Sequence, residues 1–573
     1  MEASFAPALI AGVERLTAWA DLLDEINVFP VADGDTGRNL VTSLSPLRRI
    51  ALEREKVVRE LLMAARGNSG NIAARFLSGL LTADSPECLA AAVRLGRNLA
   101  RQAVADPKPG TMLTIFDALV EALEEEPATW DVPWRDRLLD RLEGAVLSTT
   151  EALPRLKAAG VVDAGALGAF LFLEGFIDSL VGGCGAWRPI MERFGERLRL
   201  APAFREEGVA GCCIDTVLKV QADDAEAIRR LSDLGESVVL LREGEVLKVH
   251  LHAEDEKKAR EDLAAFGQVL RWATDDLGDQ VRSFQQLRDP GSLHVVTDAA
   301  GSLNRELAAR LGITLLESYI TIGEAALPET HLDPADLYAA MGRGERVSTS
   351  QASLFERHQC YGSLLDRYPR LLYLCVGSVF TGNYAVAMQW KRENDPDGRF
   401  RVIDTGAASG RLGLLAVAVA RFARKTGDAE AVIRYAEAGA GRCEEFVFLD
   451  QLRYLAAGGR LSRTGALAGD LFHLKPVISP LPEGARRVGI CRDRDGQLRF
   501  ALEKLKGTLK GDGTGALILL EHTDNAPWVE ESVRPAIARS FPAAEILCQP
   551  MSLTAGAHMG PGTWGVAFLP AEE

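Results

Sequence analysis

No window of the chain approaches the roughly 18 uninterrupted apolar residues that a membrane-spanning helix requires, so an integral membrane protein is not expected. Nine cysteines are scattered with no Cys-x-x-Cys, and only Cys212 and Cys213 are adjacent. That pattern argues against a secreted disulfide framework and for reduced thiols. Basic residues are too few to grip a phosphate backbone: 65 Lys and Arg stand against 80 Asp and Glu, a net charge of −15, which sets nucleic acid aside as a partner. The opening residues Met1 to Ala6 carry no basic stretch of the kind that begins a secretory leader, so the expected location is the cytoplasm. Internal repeats and low-complexity tracts are also missing. What remains is an ordinary globular mixture, 47% hydrophobic and 25% charged over 573 residues, long enough at about 100 to 200 residues per domain for three domains.

The first third reads as all helix. Apolar residues recur every three or four positions from Leu9 through Val13, Leu16, Trp19, Leu22 and Leu23 to Ile26, and similar stripes cover Leu89 to Val104, Ile115 to Leu123 and Ala169 to Leu180. The pattern breaks at Val181-Gly182-Gly183-Cys184-Gly185, which places the end of the first domain near residue 185. From 205 to 285 the spacing predicts a small α/β module: a strand Cys213 to Val220, a helix Ala225 to Leu234, a hairpin Ser237 to Arg242 and Val246 to His252 turning at Glu243-Gly244, and a helix Lys257 to Phe266. From 291 to 573 short apolar runs end in small polar residues, at Leu293 to Thr297, Leu371 to Val376, Val402-Ile403 and Leu517 to Leu520. Helical segments alternate with them, which predicts a parallel sheet buried on both faces.

Four turns between helices carry chemistry. In Asn27-Val28-Phe29-Pro30-Val31-Ala32-Asp33-Gly34-Asp35-Thr36-Gly37-Arg38-Asn39 two carboxylates flank a glycine beside an amide and a hydroxyl, a compact set of hard oxygen donors that suits Mg²⁺ shared with phosphates. The same residues would also serve as a helix-capping turn. Ala65 to Asn71, with Gly67-Asn68-Ser69-Gly70, opens another helix whose N–H groups could cradle phosphate oxygens. Pro109-Gly110-Thr111 and Val161-Val162-Asp163-Ala164-Gly165 add two more, each of which also reads as a plain helix connection.

In this order the four motifs resemble the nucleotide-binding, DhaL-type domain of the bacterial fatty acid kinase and, more remotely, of dihydroxyacetone kinase, over about residues 5 to 185. The resemblance implies an all-helical barrel whose aspartates hold Mg²⁺ on ATP. Carried over, Asp33 and Asp35 are the metal ligands, with Asn27 at the position of a third acid. Thr36, Asn39, Asn68, Ser69, Gly110, Thr111 and Asp163 line the nucleotide. Ala166-Leu167-Gly168 departs from the family, which often has a glycine-lysine-glycine run there.

In Val246 to His252 the histidines at 250 and 252 are two apart, so on a strand they share a face. With Cys213 on a neighbouring strand they would form a thiolate and imidazole set that suits zinc, while a half-exposed polar face accounts for the same spacing. The segment resembles the middle domain of fatty acid kinases over 208 to 283, where a glycine-x-cysteine opening and a His-x-His strand are functionally required. Cys213, His250 and His252 match those positions as catalytic candidates or Zn²⁺ ligands, and Cys212 reads as a small core residue.

From Leu293 to Leu569 the chain resembles the DegV family of fatty-acid-binding proteins. The matching residues are Val296-Thr297-Asp298, Ser348 to Gln351, Gly377-Ser378 with Thr381 to Tyr384, Val402 to Thr405, Leu452 to Leu455 with Gly458 to Leu461, Leu474 to Val477 and His558 to Gly562. The resemblance implies a two-lobed α/β domain enclosing a long-chain fatty acid. Thr349 and Ser378 would meet its carboxylate, with Arg460 and His558 as charge partners. A buried alkyl tail contributes about 0.8 kcal/mol per CH₂, and the head group needs charge-assisted donors. Ala299, Gly377 and Ala352 depart from the family pattern.

The expected whole is a multidomain ATP- and Mg²⁺-dependent kinase that phosphorylates a fatty acid held on its own DegV-type domain. The alternatives are a kinase of small hydroxyl compounds like that of dihydroxyacetone, and a non-catalytic lipid sensor gated by nucleotide. A separate DegV-type carrier, an acyltransferase and a second copy of the chain are the candidate protein partners.

Overall fold

The computed structural model describes residues 5–50, 54–83, 85–183, 185, 187–205, 210–220, 230–284, 293–457 and 474–571. It divides into two compact units, Met1–Leu287 and Arg288–Glu573. Among the described residues no helix is long and apolar enough to cross a membrane.

The first unit begins with eleven α-helices: α1 (Phe5–Thr17), α2 (Ala20–Glu25), α3 (Thr36–Leu44), α4 (Arg54–Ala64), α5 (Gly67–Leu80), α6 (Leu89–Ala103), α7 (Met112–Glu125), α8 (Val132–Ala152), α9 (Pro154–Ala159), α10 (Ala164–Leu180) and α11 (Ile190–Phe194). α10 is buried from Ala164 through Asp178, so the other helices pack about it. α1 lies against it closely enough that glycine is required at the crossing. A Cβ on Gly12 would stand 2.7 Å from the Phe172 carbonyl oxygen, and one on Gly175 would stand 2.7 Å from that of Ala11. The expected single helix from Leu9 to Ile26 is two helices, α1 and α2, broken at Ala18–Trp19. Leu16, Trp19, Leu22, Leu23 and Ile26 are all buried on both sides of the break, so the stripe carried no sign of it.

Four strands follow, β1 (Cys212–Lys219), β2 (Glu236–Glu243), β3 (Val246–Ala253) and β4 (Gln268–Asp276), with α12 (Glu256–Ala264) and α13 (Leu277–Phe284). They form an antiparallel sheet in the order β2-β3-β1-β4. One face, with Ile214, Leu218, Leu247, Val249 and Leu251, packs on Ala259 and Leu263 of α12. From the other face Val239 and Leu241 join the core of the helices. The spacing missed β4 and α13, because β4 is exposed along nearly its whole length and shows no alternation. Most of the expected helix Ala225 to Leu234 lies outside the described residues; 230–232 are helical.

The second unit holds strands β5 (His294–Asp298), β6 (Ile313–Leu316), β7 (Ser318–Ile322), β8 (Ala325–Pro328), β9 (Val347–Gln351), β10 (Leu371–Cys375) and β11 (Phe400–Asp404), then β12 (Glu444–Phe448), β13 (Lys475–Leu481), β14 (Gly484–Cys491), β15 (Leu517–His522), β16 (Glu545–Pro550) and β17 (Trp564–Leu569). One lobe is the expected parallel sheet, β11-β10-β5-β6, flanked by the antiparallel trio β8-β7-β9. The other corrects the expectation: β14-β13-β12-β17-β15-β16 is antiparallel except for the β15–β16 pair. Leu517 to Leu520 reads as a two-face-buried strand in either arrangement, so the apolar run could not reveal its direction. The helix Ser409–Lys425 joins the lobes, sharing one core with Val295 and Leu374 of the parallel sheet and with Leu517, Leu519 and Ala567 of the mixed one.

Inside the helical part Glu174 of α10 is fully buried between two arginines, with Arg15 Nη2 at 2.7 Å and Arg193 on its other oxygen. Removing the acid would take the shared counter-charge from two buried guanidinium groups, Arg193 keeping its 2.7 Å contact with Glu143, at a cost of about 3 kcal/mol. Glu174→Ala is therefore expected to lower the melting transition of the first unit in scanning calorimetry by several degrees, whereas substitution of the exposed Glu124 leaves it unchanged.

Candidate functional site

The four turns singled out in the sequence converge in the first unit. Asp24, in the last turn of α2, accepts from Gly37 N–H at 2.6 Å and Arg38 N–H at 3.2 Å, which fixes where α3 begins. Asp35 immediately precedes α3 but makes no side-chain cap, so the capping explanation of the Asp-Gly-Asp turn does not hold for it. Gly34 takes φ +64° between the two acids, a conformation glycine adopts freely. Asn27 Nδ2 donates to Asp33 Oδ1 at 2.5 Å, and both side chains are buried. Burial raises the Asp33 pKa well above the usual carboxylate range, and the neighbouring Asp35 charge adds to the rise. A buried acid beside a half-buried one, with an amide alongside, is a donor set that fits Mg²⁺.

The second turn ends α4 and begins α5. Gly67 adopts φ +60°, and a Cβ there would collide with Asn39 Nδ2, so Asn39 backs the turn from behind. At the third, Gly110 adopts φ +79° and its N–H donates to Thr114 Oγ1 at 2.8 Å, while the Thr111 hydroxyl donates to Lys108 O at 2.9 Å. At the fourth, Asp163 is the N-cap of α10, accepting from Ala166 N–H at 2.7 Å. Burial pushes its pKa up to about 7 against the N–H donors of Ala166, Met112 and Gly165.

A cavity of about 350 Å³ unites these turns. Asn27, Asp33, Asp35 and Thr36 line it, with Asn68, Ser69, Thr111 and Asp163, and so do Cys213, His250 and His252 from the sheet. Asn39 and Gly110 are not on its wall; they support the turns that are. The four helices α3, α5, α7 and α10 all begin there, so their positive dipole ends meet the two acids in one space.

The histidine and cysteine expectations meet in the sheet. Cys213 pairs with His252 across β1 and β3, and Asp215 with His250. The donor atoms of Cys213, His250 and His252 lie within 4.8 Å of one another, all buried. Burial raises the Cys213 pKa well above the thiol range, and burial with the His250 charge pushes His252 down to about 3. Among the described residues neither ring nitrogen of His250 has a hydrogen-bond partner; Nδ1 stands at ion-pair distance, 3.4 Å, from Asp215 Oδ1. Buried, unpaired nitrogens beside a thiol fit a zinc-type donor set. Cys212 points to the opposite, apolar side of the sheet, as expected of a core residue.

Two residues here were missed. Asp215 accepts from Gly67 N–H at 3.1 Å, and Lys248 donates to Leu62 O at 3.5 Å and to Ala65 O. Burial opposes the charge on Asp215, yet His250 and Lys248 outweigh it and hold its pKa below the usual carboxylate range; burial brings Lys248 down to about 8. Their signal was available: Cys213-x-Asp215 and Lys248-x-His250-x-His252 place all five side chains on one face of paired strands.

In the second unit Thr349 on β9 and His558, in the helix Leu553–Met559, come together, Oγ1 to Nε2 at 3.2 Å. Ser378 is exposed after β10, its N–H donating to Asp404 Oδ1 at 3.0 Å. Arg460 and the Gly458 to Leu461 motif lie outside the described residues. Asp298, at the end of β5, is the unexpected organiser. Tyr373 OH, Val376 N–H and Asn383 Nδ2 each donate to it at 2.8 Å, tying both ends of the segment that carries Ser378.

Comparison with known proteins divides the chain in the same order. The DAK2 domain matches residues 30–178, the FakA-like middle domain of fatty acid kinase matches 210–284, and the DegV family, described as uncharacterised, matches 292–571. Protein YloV of Bacillus subtilis is 28% identical over 306 residues, covering 48% of this chain and 55% of YloV. An uncharacterized protein of Staphylococcus saprophyticus is 25% identical over 397 residues, 63% of this chain and 69% of that one. The chain thus spans about half the length of YloV. Among solved structures, a fatty-acid-binding DegV family protein from Thermus thermophilus has 22% identity and TM-score 0.45, over 48% of this chain and 99% of its own. DegV of Bacillus subtilis, titled a fatty acid binding protein, has 21% identity and TM-score 0.44, over 49% of this chain and 99% of its own. The chain carries, in order, a DAK2 domain, a FakA-like fatty acid kinase middle domain and a DegV-family domain.

Proposed function

We propose that the chain transfers the γ-phosphoryl group of ATP to the carboxylate of a long-chain fatty acid held on its own DegV domain, giving an acyl phosphate and ADP. The observation that carries this reading is the meeting of four helix starts with the buried Asp33 and the half-buried Asp35 in one cavity. Helix starts attract phosphate oxygens and acids attract a divalent cation, and ATP·Mg²⁺ is a ligand that needs both. Asp33 and Asp35, with Asn27, would hold the Mg²⁺. The ion, when bound, neutralises phosphate charge. Thr36, Asn68, Ser69, Thr111 and Asp163 would contact the nucleotide from the wall, with Asn39 and Gly110 shaping the turns. Cys213, His250 and His252 would act from the sheet side of the cavity, as zinc ligands or as groups facing the transferred phosphoryl.

The acceptor explains why no strong base is required. A fatty carboxylate is ionised at pH 7, so the obstacle is repulsion between two anions, which preorganised N–H groups reduce. On the DegV domain Thr349 and His558 offer adjacent donors for the head group, and Ser378 and Arg460 are the further candidates. Carrying acceptor and kinase on one chain makes the encounter intramolecular, at roughly millimolar effective concentration when the connection can span the sites.

Mass spectrometry of an organic extract of the purified protein, followed by incubation with ATP and Mg²⁺ and trapping with hydroxylamine, tests the reading. Bound fatty acid together with an acyl hydroxamate supports it; fatty acid without hydroxamate favours a carrier or sensor, and neither product favours a small hydroxyl substrate. Alanine at both Asp33 and Asp35 is expected to lower hydroxamate formation at least about 100-fold while the fatty acid stays bound.

Two further outcomes follow from the site. Thr349→Ala or His558→Ala is expected to weaken oleate or palmitate binding about 10-fold or more in a fluorescence displacement titration, with ATP affinity unchanged. Asp33, whose pKa is raised well above the usual carboxylate range, must give up its proton to hold the cation. ATP·Mg²⁺ affinity measured by calorimetry should therefore rise with pH, up to about tenfold per unit for the proton released, and level off once Asp33 is ionised. Asp33→Asn should flatten that slope.

A further inference from the structure

The turn Ala65-Arg66-Gly67 connects two helices that do not cap themselves from this side. Arg66, at the N-cap of the 14-residue α5, makes no side-chain cap, and an uncapped helix start leaves N–H groups without partners. The missing groups come from the middle sheet. Asp215 Oδ2 accepts from Gly67 N–H at 3.1 Å, and Lys248 donates to Leu62 O and Ala65 O at the end of α4. Each charge matches its helix end: the carboxylate meets the positive start of α5, and the ammonium meets the negative end of α4. The second oxygen of Asp215 faces Asn71 Nδ2 and His250 Nδ1, both at 3.4 Å, and His250 is its directly opposed neighbour across the strands.

We propose that Asp215 is a positioning residue that ties the Gly67 turn and the His250 ring to one another, so that the helix start and the Cys213–His250–His252 group face the cavity as one unit. This rests on reading the cavity as the ATP site. Oδ2 accepts from the first N–H of α5 while Oδ1 lies at ion-pair distance from His250 Nδ1. Lys248 holds the other end of the same turn, which keeps Gly67 where the Asp215 carboxylate can reach it. Outer partners of this kind typically change activity or ligand affinity about 10- to 100-fold when removed.

The test uses the full chain with Asp215→Asn and Asp215→Ala. Asparagine keeps an oxygen for Gly67 N–H but removes the charge facing His250. With ¹⁵N-histidine labelling, long-range ¹H–¹⁵N spectra read the His250 tautomer; Asp215→Asn is expected to move those signals and leave the His252 pattern recognisable. In hydroxamate formation it should lower kcat about 10-fold or more with the KM for ATP within about twofold, whereas Asp215→Ala raises that KM as well. Fatty acid bound at parental levels and an unchanged circular dichroism spectrum verify that the variants fold. His250 signals that stay put in Asp215→Asn overturn the assignment, whatever happens to kcat. If the parent chain makes no acyl phosphate, the kinase reading fails by itself, while the His250 spectrum and calorimetric ATP affinity of the same variants still decide the role of Asp215.

Discussion

A helix start that faces the interior must find partners for its N–H groups, and the first unit brings four such starts to one cavity. That constraint determines where carboxylates are placed. Asp24 serves α3 from the end of the preceding helix, Asp163 serves α10 as its own N-cap, and Asp215 serves α5 from another strand. At each of these three starts an acid satisfies one or two N–H groups beside the cavity. A chain with a net charge of −15 can therefore present an anion-attracting pocket, because the local field comes from oriented backbone and not from lysines and arginines.

The sequence was most legible where a motif and a turn coincide. Asp33, Thr36, Ser69, Thr111 and Asp163 sit in turns whose glycines and small polar residues mark them, and all reach the cavity wall. Asn39 and Gly110 belong to the same motifs yet stand behind it, since a motif gives an order of residues and not the direction of each side chain. The His-x-His strand was read from its period of two, but its partner face was not. Asp215 and Lys248 each look like an ordinary charged residue of a half-exposed strand until the register of β1 against β3 is known. Register is a long-range property set by burial on both faces, and one strand's pattern does not contain it.

In the second unit the same distinction separates what local pattern can say from what packing decides. The apolar runs located β5, β10, β11 and β15 to within a few residues, but a fully buried strand reads alike whether its neighbours run parallel or antiparallel. The Val-Thr-Asp motif offered Asp298 as one matching residue among many. Only the fold shows that its two oxygens gather Tyr373, Val376 and Asn383, bringing together chain segments up to 85 residues apart. A buried carboxylate with that many donors is worth keeping only if the geometry it fixes matters, and the geometry here is that of the segment bearing Ser378.

The two donor sets on the cavity wall differ in kind, and the difference separates their roles. Asn27, Asp33 and Asp35 offer only oxygen, which favours a hard cation that keeps waters and shares phosphates. Cys213, His250 and His252 offer sulfur and nitrogen, which favour a softer one. They are electrostatically joined all the same, because the charges of Asp35 and Asp33 are among the causes that keep the Cys213 thiol protonated, after burial and Asp215. A cation at the acids would cancel part of that field and so lower the free energy of the Cys213 thiolate. Under the proposed reading, a cation at the acids would favour the thiolate form of Cys213 through charge alone.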